Sequence, residues 1–257
     1  MVGDERRSRL LELVRVRRFA SPRDLATELD VSESTIRRDL DQLEEEGAAR
    51  RIHGGVLYTE TSPRPPHFDA RQRQNWAQKQ AIAERTVGLI EDGDVVLLGG
   101  GTTTYEVARL LVGRPVHVVT NSLPVASLFA MHPESDLVLI GGNICPRTGV
   151  AQGPYAEEMA RSLGVRKAIL SVAAVNDEGL WDDNRLLVGT DQAMMNAASE
   201  VIFVVDSSKF GHQSLVELCG LDAVRDLVVD SGIVEDWRSK LLARGVNLMV
   251  AGPTDNA

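Results

Sequence analysis

Six short apolar runs constrain this chain more than any other feature: DVVLL at 94–98, VHVVT at 116–120, LVLI at 137–140, AILSVA at 168–173, VIFVV at 201–205 and DLVV at 226–229. VNLMVA at 246–251 is a candidate last strand. Each run is apolar at consecutive positions, so both of its faces need cover. Most are separated by segments with helical spacing. Such alternation predicts an α/β domain built on a mostly parallel, Rossmann-like sheet covered on both sides.

The N-terminal part follows a different pattern. Leu10, Leu13 and Val14 fall at helical spacing in a first helix over about residues 5–18. In SPRDLATEL, Ser21 suits a helix N-cap, Pro22 the first helical position, and Asp24 the place where a carboxylate meets free amides. Leu25, Ala26 and Leu29 form that helix's apolar face. Asp30-Val31 makes a short turn and Ser32 caps a third helix, whose buried stripe is Ile36, Leu40 and Leu43. Gly47 suits a left-handed helix end. AARRIHGGVLY then reads as a strand, a Gly-Gly turn and a returning strand, which completes a winged helix-turn-helix pattern. YTETSPRPP, with its three prolines, breaks all periodicity and reads as a linker. The expected organisation is 1–57 as a winged helix-turn-helix, 58–76 as linker and 77–257 as a second, sensing domain.

The third helix separates its chemistry by face. Ser32, Ser34, Thr35, Arg37 and Arg38 lie off the apolar stripe, near the helix N-terminus, where partial positive charge and free amides favour phosphate. The second helix of a helix-turn-helix enters the major groove by that end, and arginine pairs with guanine by two parallel hydrogen bonds. Arg50, Arg51 and His53 in the wing are further candidates for backbone or minor-groove contacts. The competing reading is a solvated helix whose arginines pair with Asp39, Asp41 and the glutamates. Charge does not exclude DNA. The chain totals −9, but residues 1–56 hold 11 arginines against 12 carboxylates, so nearly all the excess acid lies further on.

Cys145 and Cys219 sit in no CxxC or Cys/His cluster, which argues against a disulfide framework or a structural zinc. No segment approaches the ~18 apolar residues of a membrane span, so a soluble cytoplasmic protein is expected.

In the second domain, LLGGGTTTYEVARLL reads as strand, glycine turn and helix start. Gly99, Gly100 and Gly101 allow close backbone approach to a ligand. The following amides, with the hydroxyls of Thr102, Thr103 and Thr104, can cradle an anion. No Gly-Lys-Ser/Thr follows, so this is not a nucleotide P-loop. Further strand ends offer Thr120 and Asn121, Gly141 and Gly142, Asn176 and Asp177, and Asp206 to Lys209. In an open parallel sheet, ligands bind beyond the carboxyl ends of the strands. The set suits a phosphorylated polyol, with Lys209 and the glycine-turn amides on phosphate and Asn121 and the carboxylates on hydroxyls. The chain has only four lysines, which makes one at a strand end noticeable. Asp177 and Asp206 are equally common turn-capping residues. Trp76 and Trp237 read as packing residues.

VSESTIRRDLDQLEEEG followed by RRIHGG resembles the DeoR family of bacterial sugar-catabolism repressors. The resemblance continues in order through PPHFDAR, GDVVLLGGGTTT, VVTNSLPVA, VLIGGNI, GPYAEEM, VNDEGL and VVDSSKFG, and so covers almost the whole chain. It implies an operator-binding winged helix joined to a sensor similar in fold to ribose-phosphate isomerases, with Gly153 of GPYAEEM shaping the site. The partners it implies are double-stranded operator DNA, a phosphorylated sugar or related small anionic metabolite, and further copies of the chain, with no membrane. No cofactor or metal is implied, only a sugar phosphate acting as allosteric effector. Trp181, Asp182 and Asp183 depart from the family's small hydroxyl residues, and RLLVGTD lacks the expected Glu and Lys/Arg pattern. These departures point to an unusual or less negatively charged ligand, or to loss of the usual one. The alternative function is a sugar-phosphate isomerase-like enzyme fused to a DNA-binding domain, with Asp177, Glu178, Asp182, Asp183 and Asp206 as available bases.

Overall fold

The computed structural model describes residues 6–7, 9–10, 13–14, 19–45, 49–52, 55–58, 68–132 and 136–252. Two compact units meet at the Ala70/Arg71 peptide. The proline-rich stretch from 59 to 67, Gly47 and the Gly54 turn position lie outside the described residues.

In the first unit, positions 6–7, 9–10 and 13–14 are helical. A short strand β1 (Phe19–Ala20) leads into α1 (Pro22–Glu28), then α2 (Glu33–Glu45), β2 (Ala49–Ile52) and β3 (Gly55–Tyr58). The expected cap forms: Ser21 Oγ accepts from Asp24 N at 3.2 Å and donates to Asp24 Oδ2 at 2.7 Å. The wing is antiparallel, with Ile52 opposite Gly55 and Arg51 opposite Val56. β1 adds to its other edge, giving the order β1-β3-β2. Leu25, Leu29, Ile36, Leu40, Leu43 and Val56 fill one core with Leu10 and Val14.

The second unit follows from α3 (Phe68–Arg73) and α4 (Trp76–Val87). Its sheet strands are β4 (Val95–Leu98), β5 (His117–Thr120), β6 (Asp136–Leu139), β9 (Val165–Leu170), β12 (Ala198–Val204), β14 (Asp226–Asp230) and β15 (Asn247–Ala251). All pairings among them are parallel, in the order β15-β14-β12-β9-β4-β5-β6. The apolar runs alternate as a two-sided sheet requires. Val96, Leu98, Val118, Ile169 and Val204 face a layer containing Ile82 of α4, Val107 and Leu111 of α5 (Thr102–Leu111) and Phe129 of α6 (Leu123–Phe129). Leu97, Val119, Leu170, Phe203 and Val229 face the opposite layer. That layer contains Ala160 of α7 (Pro154–Arg161), Met194 of α8 (Arg185–Ala197) and Leu241 of α9 (Glu235–Ala243).

Two additions interrupt this frame. A hairpin pairs β7 (Asn143–Cys145) with β8 (Val150–Gln152). A small antiparallel sheet joins β10 (Ala174–Val175), β11 (Gly179–Asp182) and β13 (Val216–Gly220). The fourth main strand also starts and ends three residues before the expected 168–173. Its first turnward residues are charged, yet Lys167 is buried against Asp94 at 2.7 Å and so belongs to the sheet. Trp76 corrects another expectation: it is 48% exposed, whereas Trp237 is buried against Phe210.

Candidate DNA interface and effector site

On the first unit, α2 shows two faces. Ser32 caps it, its Oγ accepting from Thr35 N at 3.2 Å and sharing hydrogen bonds with the Ser34 and Thr35 hydroxyls. Asp39 is buried and held by Arg6 through two bonds of 2.6 and 3.1 Å, so it does not neutralise the arginines beside it. Arg37 and Arg38 are exposed. Arg37 reaches back to Glu33 at 2.7 Å, a pair of solvent-exposed groups worth little. Arg38 has no ion pair among the described residues. The helix end therefore offers hydroxyls, amides and two displaceable or free guanidinium groups, the donor set that phosphates and guanine edges accept. Arg51 lies on β2; His53 lies outside the described residues.

On the second unit, strand order locates the ligand edge. The chain passes from β4 outward through β5 and β6, then returns beside β4 with β9 and proceeds the other way. The switch point is between β4 and β9, and crevices open there at the strands' carboxyl ends. Gly99–Gly101 follow β4 and Ser171 follows β9, and Ser171 Oγ donates to Gly100 O at 3.2 Å. No side chain fits at two of these glycines. A Cβ on Gly100 would stand 2.5 Å from Val150 Cγ2, and one on Gly101, where φ is +132°, would overlap Ser171 Oγ. α5 begins at Thr102, so its first amides face this edge.

The threonines and asparagine divide by role. Thr104 Oγ1 donates to Gly101 O at 2.9 Å, and Thr120 Oγ1 donates to Leu98 O at 2.7 Å. Both hydroxyls stiffen the turns, and that of Thr104, expected as a ligand donor, gives its proton to the backbone here. Thr102 and Thr103 are buried at the α5 N-terminus. Asn121 Nδ2 donates to Ala151 O at 3.0 Å, and its buried Oδ1 has no partner. Gly141 and Gly142 follow β6, and a Cβ on Gly142 would crowd Ala156 and Gln152 O at 3.0 Å. Gly153 caps α7 at φ +88°, its amide donating to Thr190 Oγ1 at 3.0 Å.

Asp206 and Lys209 come together with residues that the sequence did not single out. Asp206 is buried and its Oδ1 accepts from Asn75 Nδ2 at 3.1 Å and from Ser208 N at 3.2 Å. Lys79 is buried on α4, its Nζ donating to the carbonyls of Arg71 and Gln74. Burial pushes its pKa down to about 8; Asp206 opposes that shift, while Lys209 and Arg71 add to it. Arg71 and Lys209 therefore gather about Lys79, three cations opposed by Asp206 and by Glu106 of α5, the helix that the glycine turn opens. A pattern in the sequence carried this signal. Lys79 stands on the same stripe as Ile82, Ala83 and Thr86, all buried.

Asp177, expected as a ligand contact or a turn cap, occupies a turn position. β9 ends at Leu170, and residues 174–182 leave the main sheet as a hairpin whose turn holds Asn176 and Asp177. Asn176 Oδ1 accepts from Glu178 N, Gly179 N and Trp181 Nε1. Asp177 is exposed and paired with Lys240 at 3.0 Å. Two further carboxylates lie buried: Asp182 on the other arm of that hairpin, which feels the charge of Arg71, and Asp191 on α8. Asp182 is pushed up to about 7 by burial and then by Asp183, with Arg71 opposing. Asp191 is held well above the usual carboxylate range by burial and then by Asp182.

A winged helix-turn-helix unit followed by a ligand-competent parallel sheet defines a class of DNA-binding regulators, and comparison with known proteins narrows it. A family model described as "DeoR-like helix-turn-helix domain" matches residues 6–62, and one described as "DeoR C terminal sensor domain" matches residues 74–231. The chain belongs to the DeoR family and is a DNA-binding transcriptional regulator. It is 34% identical to the transcriptional repressor AccR of Agrobacterium fabrum, over 92% of this chain and 94% of that one. It is 32% identical to the regulator GlpR of Haloferax volcanii, over 97% and 98%. It is 31% identical to a putative aga operon transcriptional repressor of Escherichia coli O157:H7, over 96% and 94%. Among solved structures, ribose 5-phosphate isomerase from Methanocaldococcus jannaschii is similar at 20% identity, covering 51% of this chain and 53% of that one with a TM-score of 0.38.

Proposed function

We propose that this regulator represses carbohydrate-metabolism genes in the cytoplasm, binding operator DNA as a homodimer or higher oligomer and leaving it when a phosphorylated sugar binds. The observation that carries the effector reading is the gathering of Arg71 and Lys209 about the buried Lys79, three cations opposed by Asp206 and by Glu106 of α5, the helix that the glycine turn opens. That charge surplus suits a dianionic phosphate, which the free amides of α5 also favour. The names of the relatives, which include transcriptional repressors, support the repressor reading. A single winged helix offers little contact area, which supports self-association on repeated half-sites. The test is a thermal-shift screen against pentose and hexose phosphates. A ligand present at 100 times its dissociation constant should stabilise the chain by ~2.7 kcal/mol. The same compound should lower operator affinity about 5- to 150-fold, a coupling of ~1–3 kcal/mol. No stabilisation by any sugar phosphate rejects the reading.

A sugar-phosphate isomerase is the second reading, favoured by one observation: Asp182 is a buried carboxyl with its pKa raised to about 7, as a general base requires. Turnover abolished by Asp182→Asn would establish it. Binding without turnover supports the sensor.

A further inference from the structure

Among the described residues, the buried side-chain polar atoms that find no hydrogen-bond partner are Asn121 Oδ1 and Asp191 Oδ1. Both are acceptors, so what the free protein lacks at these points is a donor. An unmatched buried acceptor destabilises the fold, and a ligand that supplies the donor removes that loss.

The fold carries both to the ligand edge. Asn121 directly follows β5. α8 runs straight into β12. It therefore packs antiparallel to the strands, with its N-terminal half toward their carboxyl ends. Met194 comes within 3.7 Å of the Cβ position at Gly99, and Asp191, three residues earlier, shares that helix face one turn nearer the edge. β8 ties the two elements together. Ala151 O accepts from Asn121 Nδ2 at 3.0 Å, Gln152 Oε1 accepts from Asn184 Nδ2 at 2.8 Å, and Gly153 N donates to Thr190 beside Asp191 at 3.0 Å.

Asp191 also has acidic company. Asp182 is buried and acts on it electrostatically. Neither carboxylate makes an ion pair among the described residues, and no group of three or more His, Cys, Asp or Glu there is placed to hold a metal ion. Met194, one turn along α8 from Asp191, packs on Gly99, which sets the acidic pair beside the glycine turn and the start of α5. The site therefore pairs an anion-binding helix start with two acids whose ionisation burial disfavours until a cation arrives.

We propose that Asp191, with Asp182, receives a protonated amine of the effector, so that the ligand is an amino-sugar phosphate and not a neutral sugar phosphate. The proposal rests on the sugar-phosphate reading and specifies it. An ammonium group brings three donors and one positive charge to acceptors that lack both. A hydroxyl brings one donor and no charge, so it does not offset the burial that disfavours ionisation of both acids.

Isothermal titration of the full chain tests this with matched pairs: D-glucosamine 6-phosphate against D-glucose 6-phosphate, D-galactosamine 6-phosphate against D-galactose 6-phosphate, and unphosphorylated D-glucosamine. The expected result is that an amino sugar phosphate binds at least about tenfold more tightly than its hydroxyl partner. Asp191→Asn keeps the side chain's shape and replaces an acid whose ionisation burial disfavours with a neutral amide, so it should fold and bind operator as the wild type does. It should erase the preference to within about twofold. Equal binding within each pair, or a preference that survives Asp191→Asn, overturns the amine assignment and leaves the sugar-phosphate reading standing. Unphosphorylated glucosamine binding as well as its phosphate keeps the amine and rejects the phosphate. No binding by any of the five overturns both.

Discussion

Asn75 Nδ2 donates to Asp206 Oδ1 at 3.1 Å across 131 residues of sequence. Asn75 opens α4 in the left-handed region at φ 50°, a conformation that asparagine tolerates better than most side chains. The bond fastens the start of that helix, five residues beyond the Ala70 boundary between the units, to the loop that presents Lys209. A ligand that draws Lys209 inward acts on this same loop. Asn75→Gly keeps the backbone conformation and deletes the bond, and it should cost about 1 kcal/mol of stability. Asn75→Ala adds the left-handed penalty and should cost about 1–2 kcal/mol more. Both variants should bind operator normally without effector and respond less to it. Operator anisotropy titrations with and without ligand measure that response, and an unchanged response in Asn75→Gly removes this bond from the signalling route.

Lys79 gives a proton signature of phosphate binding. Burial lowers its pKa to about 8, with Lys209 and Arg71 adding to the effect. A bound phosphate stabilises the charged ammonium and raises that value, so binding near pH 8.5 should be accompanied by proton uptake. Titration calorimetry in two buffers of different ionisation enthalpy reads the uptake directly. Lys79→Met should abolish it and weaken binding. In the free protein the sign is fixed by a lowered folded pKa. Between about pH 8 and the unfolded value near 10.5, the unfolded chain binds more protons, so stability from this residue is lost as pH falls through that window. Proton uptake that persists in Lys79→Met would assign the effect to another group.

What was legible in the sequence is what periodicity encodes. Ile36, Leu40 and Leu43 recur at helical spacing and are buried together. The apolar runs reappear as strands of one parallel sheet because consecutive Val, Leu and Ile need cover on both faces. The Asn143–Cys145 and Val150–Gln152 hairpin was not legible, since three-residue strands carry no alternation and take their pairing from neighbours. The same holds for Asp177, whose distance from the β9 end depends on the small antiparallel sheet that intervenes. Lys79 and Arg71 were missed for another reason. Hydropathy assigns charged residues to solvent, while here the carbonyls of Arg71 and Gln74 and the buried Asp206 hold a lysine inside.

Arg37 and Arg38 should not contribute equally to operator binding. Arg37 must leave Glu33 before it reaches DNA, whereas Arg38 is unpaired among the described residues. Each alanine variant should weaken specific binding by about 1–3 kcal/mol if the side chain reads a base. The Arg37 loss should be smaller by roughly 0.3–0.5 kcal/mol, the worth of an exposed i,i+4 pair. Binding isotherms on operator and on scrambled DNA at matched salt separate base reading from phosphate contact. A uniform loss on both DNAs assigns a phosphate role, and no loss for either variant removes α2 from the groove. Thermal melts should be unchanged, because both side chains are exposed.

The raised carboxyls set an opposite pH dependence for the sensing unit. Asp182 is pushed from 3.8 up to about 7 by burial and the neighbouring Asp183. A group whose folded pKa is raised binds its proton more tightly in the folded chain. Its contribution is therefore fully present below pH 4, declines as pH rises, and is lost once pH passes about 7. Within that window each pH unit can cost up to about 1.4 kcal/mol. Asp182→Asn is neutral at every pH, so its stability relative to wild type should grow between pH 5 and pH 7 and level off above, on the order of a few kcal/mol at the plateau. Asp191 is held above the usual carboxylate range by burial and then by Asp182, so the stability of Asp191→Asn relative to wild type should also grow as pH rises above the usual carboxylate range. Urea denaturation of wild type and both variants at half-unit pH steps measures these difference curves. A curve for Asp182→Asn that is flat from pH 5 to pH 8 would show that Asp182 keeps an ordinary pKa in the folded chain.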